Sequence, residues 1–211
     1  MNNKEVTRLA HNAIAQEYYE LYKDDKTDLG YFDEFLNICG NDILDLGCGM
    51  GHYSNYMHNK GYTVTGIDFS STMLDIAKKN YLNIEFIESD ACDLSKINGR
   101  KYDGIVLAYL LQHLSRKESE ELFKELPKYL KPNAKLLIFT RQGNRDLEEV
   151  EPIDPQYVYQ ISEYNKETLS ALLNNTGWNI IKIETKPPVE DDYSLAPDTL
   201  VAIAKYVGKI S

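Results

Sequence analysis

Residues Ile43–His52 read ILDLGCGMGH. An apolar run ends in Asp45-Leu46 and gives way to glycines at 47, 49 and 51. Glycine inside a strand or helix costs roughly 0.5–1 kcal/mol relative to alanine. Three so close together predict a turn whose backbone something approaches. The run before the turn has strand length, and residues 51–60 after it read as a helix closed by Gly61. Strand, glycine loop and helix together form the opening unit of an open α/β sheet.

The alternation continues outward from there. Tyr62–Ile67 reads as a second strand ending in Asp68, followed by a helix from about Ser71 to Asn80. Asn83–Ile87 and Asp103–Ala108 read as the third and fourth strands. Ser115 and Glu118 have capping-box spacing and open a helix to about Leu130; Ala134–Thr140 is the fifth strand. This order predicts a parallel sheet covered by helices on both faces, with strands apolar enough to be buried. Upstream, Val6, Leu9, Ala10, Ala13, Ile14 and Leu21 follow helical spacing over about residues 5–23, and a short helix is expected near 28–38. Residues 141–164 are polar, with acids, prolines and tyrosines, and read as a long connection, functional or disordered. Asn165 caps a helix stopped by Gly177. Trp178–Glu184 and Thr199–Tyr206 are two more strands, joined by a loop with Pro187, Pro188 and Pro197. No helix fits between them, so they are expected to pair antiparallel.

Bulk properties narrow the function. The chain has 211 residues, 43% hydrophobic and 27% charged, with a net charge of −10 and no visible basic patch. Nucleic acid is therefore not an expected partner. Cys39, Cys48 and Cys92 form no C-x-x-C pair, which fits a reducing compartment. The start, MNNKEVTRLAHN, has no apolar core of signal-peptide length, and no run approaches the ~18 apolar residues of a membrane helix. The expectation is a cytoplasmic protein with no membrane partner. No histidine or carboxylate set has metal-ligand spacing, so no metal is expected.

Two ligand classes fit the glycine loop. A dinucleotide would rest its pyrophosphate on the helix N-terminus through G-x-G-x-x-G. Here the third glycine, Gly51, comes one place early, and His52 stands at the motif position. Asp68 suits a ribose in either class. The wider pattern discriminates. DLGCGMG (45–51) resembles motif I of the class I S-adenosylmethionine-dependent methyltransferases. GIDFSSTMLDIAKK (66–79) and FIESDACDL (86–94) resemble the second and third motifs. YDGIVLAYLLQHL (102–114) resembles motif IV of the branch that includes the ubiquinone/menaquinone-biosynthesis enzymes. LPKYLKPNAKLLIFT (126–140) is similar to the usual passage into the fifth strand, with Asn133 and Ala134 where glycines are commoner. The resemblance covers about Asp42 to Tyr206.

The resemblance implies a doubly wound, seven-stranded, mostly parallel Rossmann-like sheet with a C-terminal antiparallel hairpin and an N-terminal helical cap. It divides the chain into a cap, 1–40, and one methyltransferase unit, 41–211, with 141–164 shaping the acceptor pocket. It implies methyl transfer from S-adenosylmethionine to a small-molecule acceptor, leaving S-adenosylhomocysteine, by a monomer or homodimer. A non-catalytic binder of the same cofactor, or a methyltransferase acting on protein or RNA, are the alternatives. The methionine portion would pass Leu46, Gly47, Cys48 and Gly49, with Asp45 holding the loop and orienting the ammonium group. Asp68 would accept from ribose and Asp90 from the adenine amino group. Ala91 and Cys92 would address the ring by their backbone, and Phe69 and Met73 would pack on its faces. Tyr18, His52, Tyr53 and Ala108 complete the expected cofactor set. His113, at the rim after the fourth strand, is the candidate base, since its ordinary pKa suits proton transfer near neutrality. Fixing the rim by a hydrogen bond is its competing role. Tyr19 on the first helix is a second catalytic candidate. His11 and His58 are expected to be solvated helix residues.

Overall fold

The computed structural model describes residues 1–186 and 198–208. Two helices come first, α1 (Asn3–Tyr22) and α2 (Leu29–Leu36). Strands and helices then alternate: β1 (Asp42–Leu46), α3 (His52–Asn59), β2 (Thr63–Asp68), α4 (Ser71–Asn80), β3 (Glu85–Glu88), β4 (Tyr102–Ala108), α5 (Arg116–Glu125) and β5 (Leu130–Arg141). The chain continues through β6 (Asp146–Val150), β7 (Val158–Ser162), α6 (Lys166–Asn175), β8 (Trp178–Lys186) and β9 (Thr199–Tyr206).

The main sheet has seven strands in the order β3-β2-β1-β4-β5-β9-β8. The first five run parallel, while β9 pairs antiparallel with both β5 and β8. Strand order reverses between β1 and β4, which opens a crevice at their carboxyl ends. The seven-stranded sheet and the terminal antiparallel pair are as the sequence implies. The connection carrying Pro187, Pro188 and Pro197 lies outside the described residues.

Each face of the sheet is covered. On one, Phe123 of α5, Leu169 and Leu173 of α6 and Trp178 pack over Leu44, Leu107 and Ile138. On the other, Met57 of α3, Leu74 of α4 and Phe32 and Phe35 of α2 cover Ile43, Val106 and Phe139. The buried phenylalanines make α2 part of this layer. The real capping box at Ser115 and Glu118 starts α5. Pro127, lacking an N–H, ends it early: residues Leu126–Tyr129 tighten into a 3₁₀ turn, and β5 begins at Leu130.

Two-residue alternation in the 141–164 stretch produces a hairpin where a polar loop was expected. Strands β6 and β7 pair antiparallel from Asp146↔Ser162 to Val150↔Val158. Tyr159 and Ile161 point inward onto Ala10 of α1, while Val158 and Gln160 point out. The acids and prolines masked this period in the sequence. Helix α1 packs on α4 and on β7, and so lies across the open ends of the sheet.

Candidate functional site

The loop after β1 is tied to β2 by the N–H groups of Gly47 and Cys48, which donate to the Ile67 carbonyl at 2.8 and 3.0 Å. Asp68, at the end of β2, is 8% exposed. The Gly49 N–H donates to its Oδ2 and the Ser70 N–H to its Oδ1, both at 2.8 Å. Ser70 also caps α4 and donates to Asn12 Oδ1 of α1 at 2.7 Å. The glycines serve different ends. At Gly51 (φ +81°), a Cβ would stand 2.7 Å from Phe86 Cζ, so packing excludes a side chain. At Gly49 (φ +51°), no atom lies within 4 Å of where a Cβ would be. That open space beside the Asp68 carboxylate is room for a ligand.

A first cavity surrounds it. Its roof is one stripe of α1, formed by Lys4, Thr7, His11 and Tyr18. Phe69, Met73, Asp90 and Ala91 form one side; Ala108, Tyr109, Leu110 and His113, after β4, form the other. Lys4 Nζ donates to Asp90 Oδ2 at 2.8 Å and lies 3.1 Å from Glu118 Oε1, strapping α1 across the opening. The Cys92 N–H donates to Asp90 Oδ1 at 2.8 Å. A second cavity, about 500 Å³, adjoins the first. His11, Tyr18, Tyr109 and His113 line both. More of its wall comes from α1 and the turn after it, including Glu17 and Asp25, from His52 and Tyr53, from Arg141, and from the β6–β7 hairpin.

The shared wall is constrained. Tyr109 has φ +61°, left-handed and costly for a tyrosine, by about 1–3 kcal/mol. Its hydroxyl donates to buried Asp28 at 2.8 Å, and Tyr53 donates to the same oxygen at 2.7 Å. The His11 and His113 rings meet edge to face, and His113 also abuts the Tyr159 ring. Burial, reinforced by His11, pushes His113 down to about 3, and its Nδ1 has no hydrogen-bond partner. Burial lowers His11 too, against the pull of Asp68 and Glu151. His52 is pushed down to about 4 by burial. Asp45, 1% exposed, accepts from the Ser54 hydroxyl at 2.6 Å on one oxygen and lacks a partner on the other; burial raises it to about 7. Among the described residues, no three His, Cys, Asp or Glu side chains could hold a metal ion.

A family model described as a methyltransferase domain matches residues 43–133, from β1 past the shared wall. Over that stretch, somewhat under half of its length, the chain is similar to methyltransferase domains. It is similar to a ubiquinone biosynthesis O-methyltransferase from Coxiella burnetii, 28% identical over 63% of this chain and 57% of that protein. It thus spans little more than half the length of that relative. A Pseudomonas fluorescens protein of the same name is 25% identical over 86% of this chain and 84% of its own. The fold is also that of the 1,6-didemethyltoxoflavin-N1-methyltransferase of Burkholderia thailandensis, solved with 1,6-didemethyltoxoflavin and S-adenosylhomocysteine. The TM-score is 0.75 and the identity 16%, covering 98% of this chain and 91% of that one.

Against this methyltransferase frame, the residues singled out from sequence fall into groups. Tyr18, Gly47, Gly49, Asp68, Phe69, Met73, Asp90, Ala91, Ala108 and His113 line the first cavity together. His52 and Tyr53 line the second. Leu46 and Cys48 are buried beside the loop, and Asp45 lies in β1 among them. Cys92 flanks the core and reaches the site through its N–H. Tyr19 lines neither cavity: it packs with Ile14, Met50 and Met73, and Lys23 sits over its ring at 5.6 Å. His11 is not a solvated helix residue but part of the shared wall. Lys4, Thr7, Tyr109, Leu110 and Leu114 were also missed. The signal for the first two, and for His11, was their spacing with Tyr18, at i, i+3, i+7 and i+14, which puts all four on one helical face.

Proposed function

We propose that this chain transfers a methyl group from S-adenosylmethionine to a small molecule held in the second cavity. The observation that carries this reading is the open space at Gly49, beside Asp68, in a cavity that shares His11, Tyr18, Tyr109 and His113 with the second. The residues fit the cofactor. Gly49 leaves room for a chain to pass the backbone. Asp68 spends one acceptor site per oxygen on N–H groups and keeps others for ribose hydroxyls. Phe69 and Met73 offer apolar surface to a purine, while Asp45 lines neither cavity and keeps a buried, unpartnered oxygen behind the loop.

When bound, the cofactor supplies a methyl on a sulfonium, which becomes a thioether as the acceptor gains the methyl and sheds a proton. The protein's part is chiefly alignment, which can supply much of such an acceleration. His113 is uncharged near neutrality and too weakly basic to collect that proton efficiently. Its role is to hold the acceptor by a hydrogen bond. Helix α1 serves as the cap. The acidic net charge of −10 argues against nucleic acid, and three free cysteines suit a reducing, cytoplasmic setting. No helix among the described residues is long and apolar enough to cross a membrane. A monomer or homodimer is expected, which light scattering after size exclusion would check.

Calorimetric titration with S-adenosylhomocysteine tests the cofactor site. Turnover of labelled S-adenosylmethionine against a metabolite extract, followed by product mass, tests the reaction. Binding without turnover would point to a non-catalytic binder; tight NAD binding would favour a dinucleotide.

A further inference from the structure

The second cavity is predominantly acidic. Its ionic side chains are Glu17, Asp25, Glu149, Glu151 and Arg141. The guanidinium is paired with Glu149 and with Glu163, whose Oε1 lies 3.3 Å from Arg141 Nε without a hydrogen bond between them. Glu151 is the buried member, 5% exposed. The Tyr159 hydroxyl donates to its Oε2 at 2.8 Å and the Ile153 N–H to its Oε1 at 3.2 Å. Among the described residues no lysine or arginine pairs with it. A buried carboxylate is usually matched by a cation. With two neutral donors, Glu151 keeps acceptor capacity on both oxygens.

The surroundings of that carboxylate are aromatic. The rings of Tyr159 and His113 touch, and Tyr18 and His11 stand on the same wall. Aromatic faces beside a carboxylate attract a cation and repel an anion. His113 Nδ1, buried and without a partner in this wall, adds a second polar contact for whatever enters. Glu17 and Asp25, nearer solvent, bias approach in the same direction.

We propose that the acceptor is a small aromatic or otherwise apolar molecule carrying a protonated amine, which Glu151 binds as its counter-ion. This rests on the methyltransferase reading above. The amine is a recognition handle; which atom receives the methyl is a separate matter. A carboxylate- or phosphate-bearing acceptor would meet four acids and one cation, Arg141, already paired with two carboxylates.

Two matched series test it by calorimetry on the full chain loaded with S-adenosylhomocysteine: tyramine, 4-ethylphenol and 3-(4-hydroxyphenyl)propionate; and tryptamine, 3-ethylindole and indole-3-propionate. In at least one series the amine should bind about tenfold tighter than its neutral counterpart, with the acid weakest, as a charge-assisted hydrogen bond provides. Glu151→Gln, which keeps the shape, should bring amine and neutral compound within about threefold while S-adenosylhomocysteine affinity stays unchanged. An acid binding as well as its amine, no amine preference in either series, or a preference that survives in Glu151→Gln would overturn the inference. The wild-type ranking decides even if the variant does not fold. Failure of the wild type to bind S-adenosylhomocysteine would instead overturn the methyltransferase reading itself, and the inference with it.

Discussion

The imidazoles of His11 and His113 meet edge to face, with centroids 5.3 Å apart, on the wall common to both cavities. One ring comes from the helix that roofs the site and the other from the turn after β4. Each proton added to one ring would be repelled by a proton on the other, and burial penalises both. The pair is therefore a neutral partition at physiological pH, suited to hydrogen bonding more than to proton uptake.

His113→Ala should accordingly cost less than about tenfold in kcat, with a rise in acceptor KM, whereas loss of a general base costs roughly 10²–10⁴. Steady-state rates between pH 6 and 9 provide the check. A larger loss, together with disappearance of an ionising limb present in the wild type, would restore His113 as the base.

The same burial makes the fold acid-sensitive. His52 and His113 have folded values of about 4 and about 3, below the ordinary 6.5. The unfolded chain binds protons first, so their stabilising contribution is complete above pH 6.5 and drains away as pH falls toward 3. Asp45, raised to about 7, acts in the opposite direction: its contribution is lost as pH rises from near 4 to 7. The useful readout is thus a difference between variants. Urea midpoints at pH 7.5, 6.0 and 4.5 should fall less steeply in His113→Asn than in the wild type. Parallel slopes would show that His113 does not titrate as its burial requires.

Gly49→Ala separates ligand room from fold. Nothing in the protein stands near the added methyl, so the cost to stability is the left-handed backbone alone, about 1–2 kcal/mol. Cofactor affinity should fall much further, by at least about 100-fold, because the methyl enters the space the ligand needs. Thermal unfolding and calorimetry with S-adenosylhomocysteine measure the two effects. Unchanged affinity in the folded variant would displace the ligand from this loop.

Asp68→Ala should weaken S-adenosylhomocysteine by about 1.5–3 kcal/mol, the range for hydrogen bonds to a charged group. Some of this loss will be indirect, since the carboxylate also anchors the Gly49 N–H. Asp68→Asn keeps an oxygen for one of the two backbone donors and should lie between. A calorimetric series in which Asn is as poor as Ala would locate the effect in charge rather than in loop geometry.

Residues whose role follows from near neighbours were readable in the sequence. Asp68 ends β2 and Gly49 lies in the turn after β1, and their spacing placed both beside the crevice. His11 and Lys4 belong to a helix whose sequence tells that it is amphipathic but not what it lies against. Packing α1 onto α4 and β7 turns that stripe toward the cavity. Tyr109 was hidden for another reason: a left-handed tyrosine has no sequence signature, and its backbone is held by the fold around it. Glu151 depended on the hairpin, whose alternating Tyr159 and Ile161 were obscured by the surrounding acids and prolines.

The Lys4 strap offers a kinetic test. Its ammonium is partly buried, which alone would lower its pKa, but the bonds to Asp90 and Glu118 outweigh this and raise it. Ion pairs this close to solvent contribute only about 0.2–1 kcal/mol each, so Lys4→Met should scarcely move the global unfolding midpoint. Locally the effect should be larger. The first turns of α1 would then be tied down mainly by Asn3 on Gln160 and by Asn12 on Ser70. Amides near residues 4–8 should exchange faster, and opening of the roof should speed both entry and exit of S-adenosylhomocysteine. Because both rates rise, the equilibrium constant should change by less than about threefold, the mark of a gate rather than a binding contact. Stopped-flow fluorescence would resolve the two rates. A slower exit, or an affinity loss carried wholly by faster exit, would make Lys4 a direct contact to the ligand and not a strap.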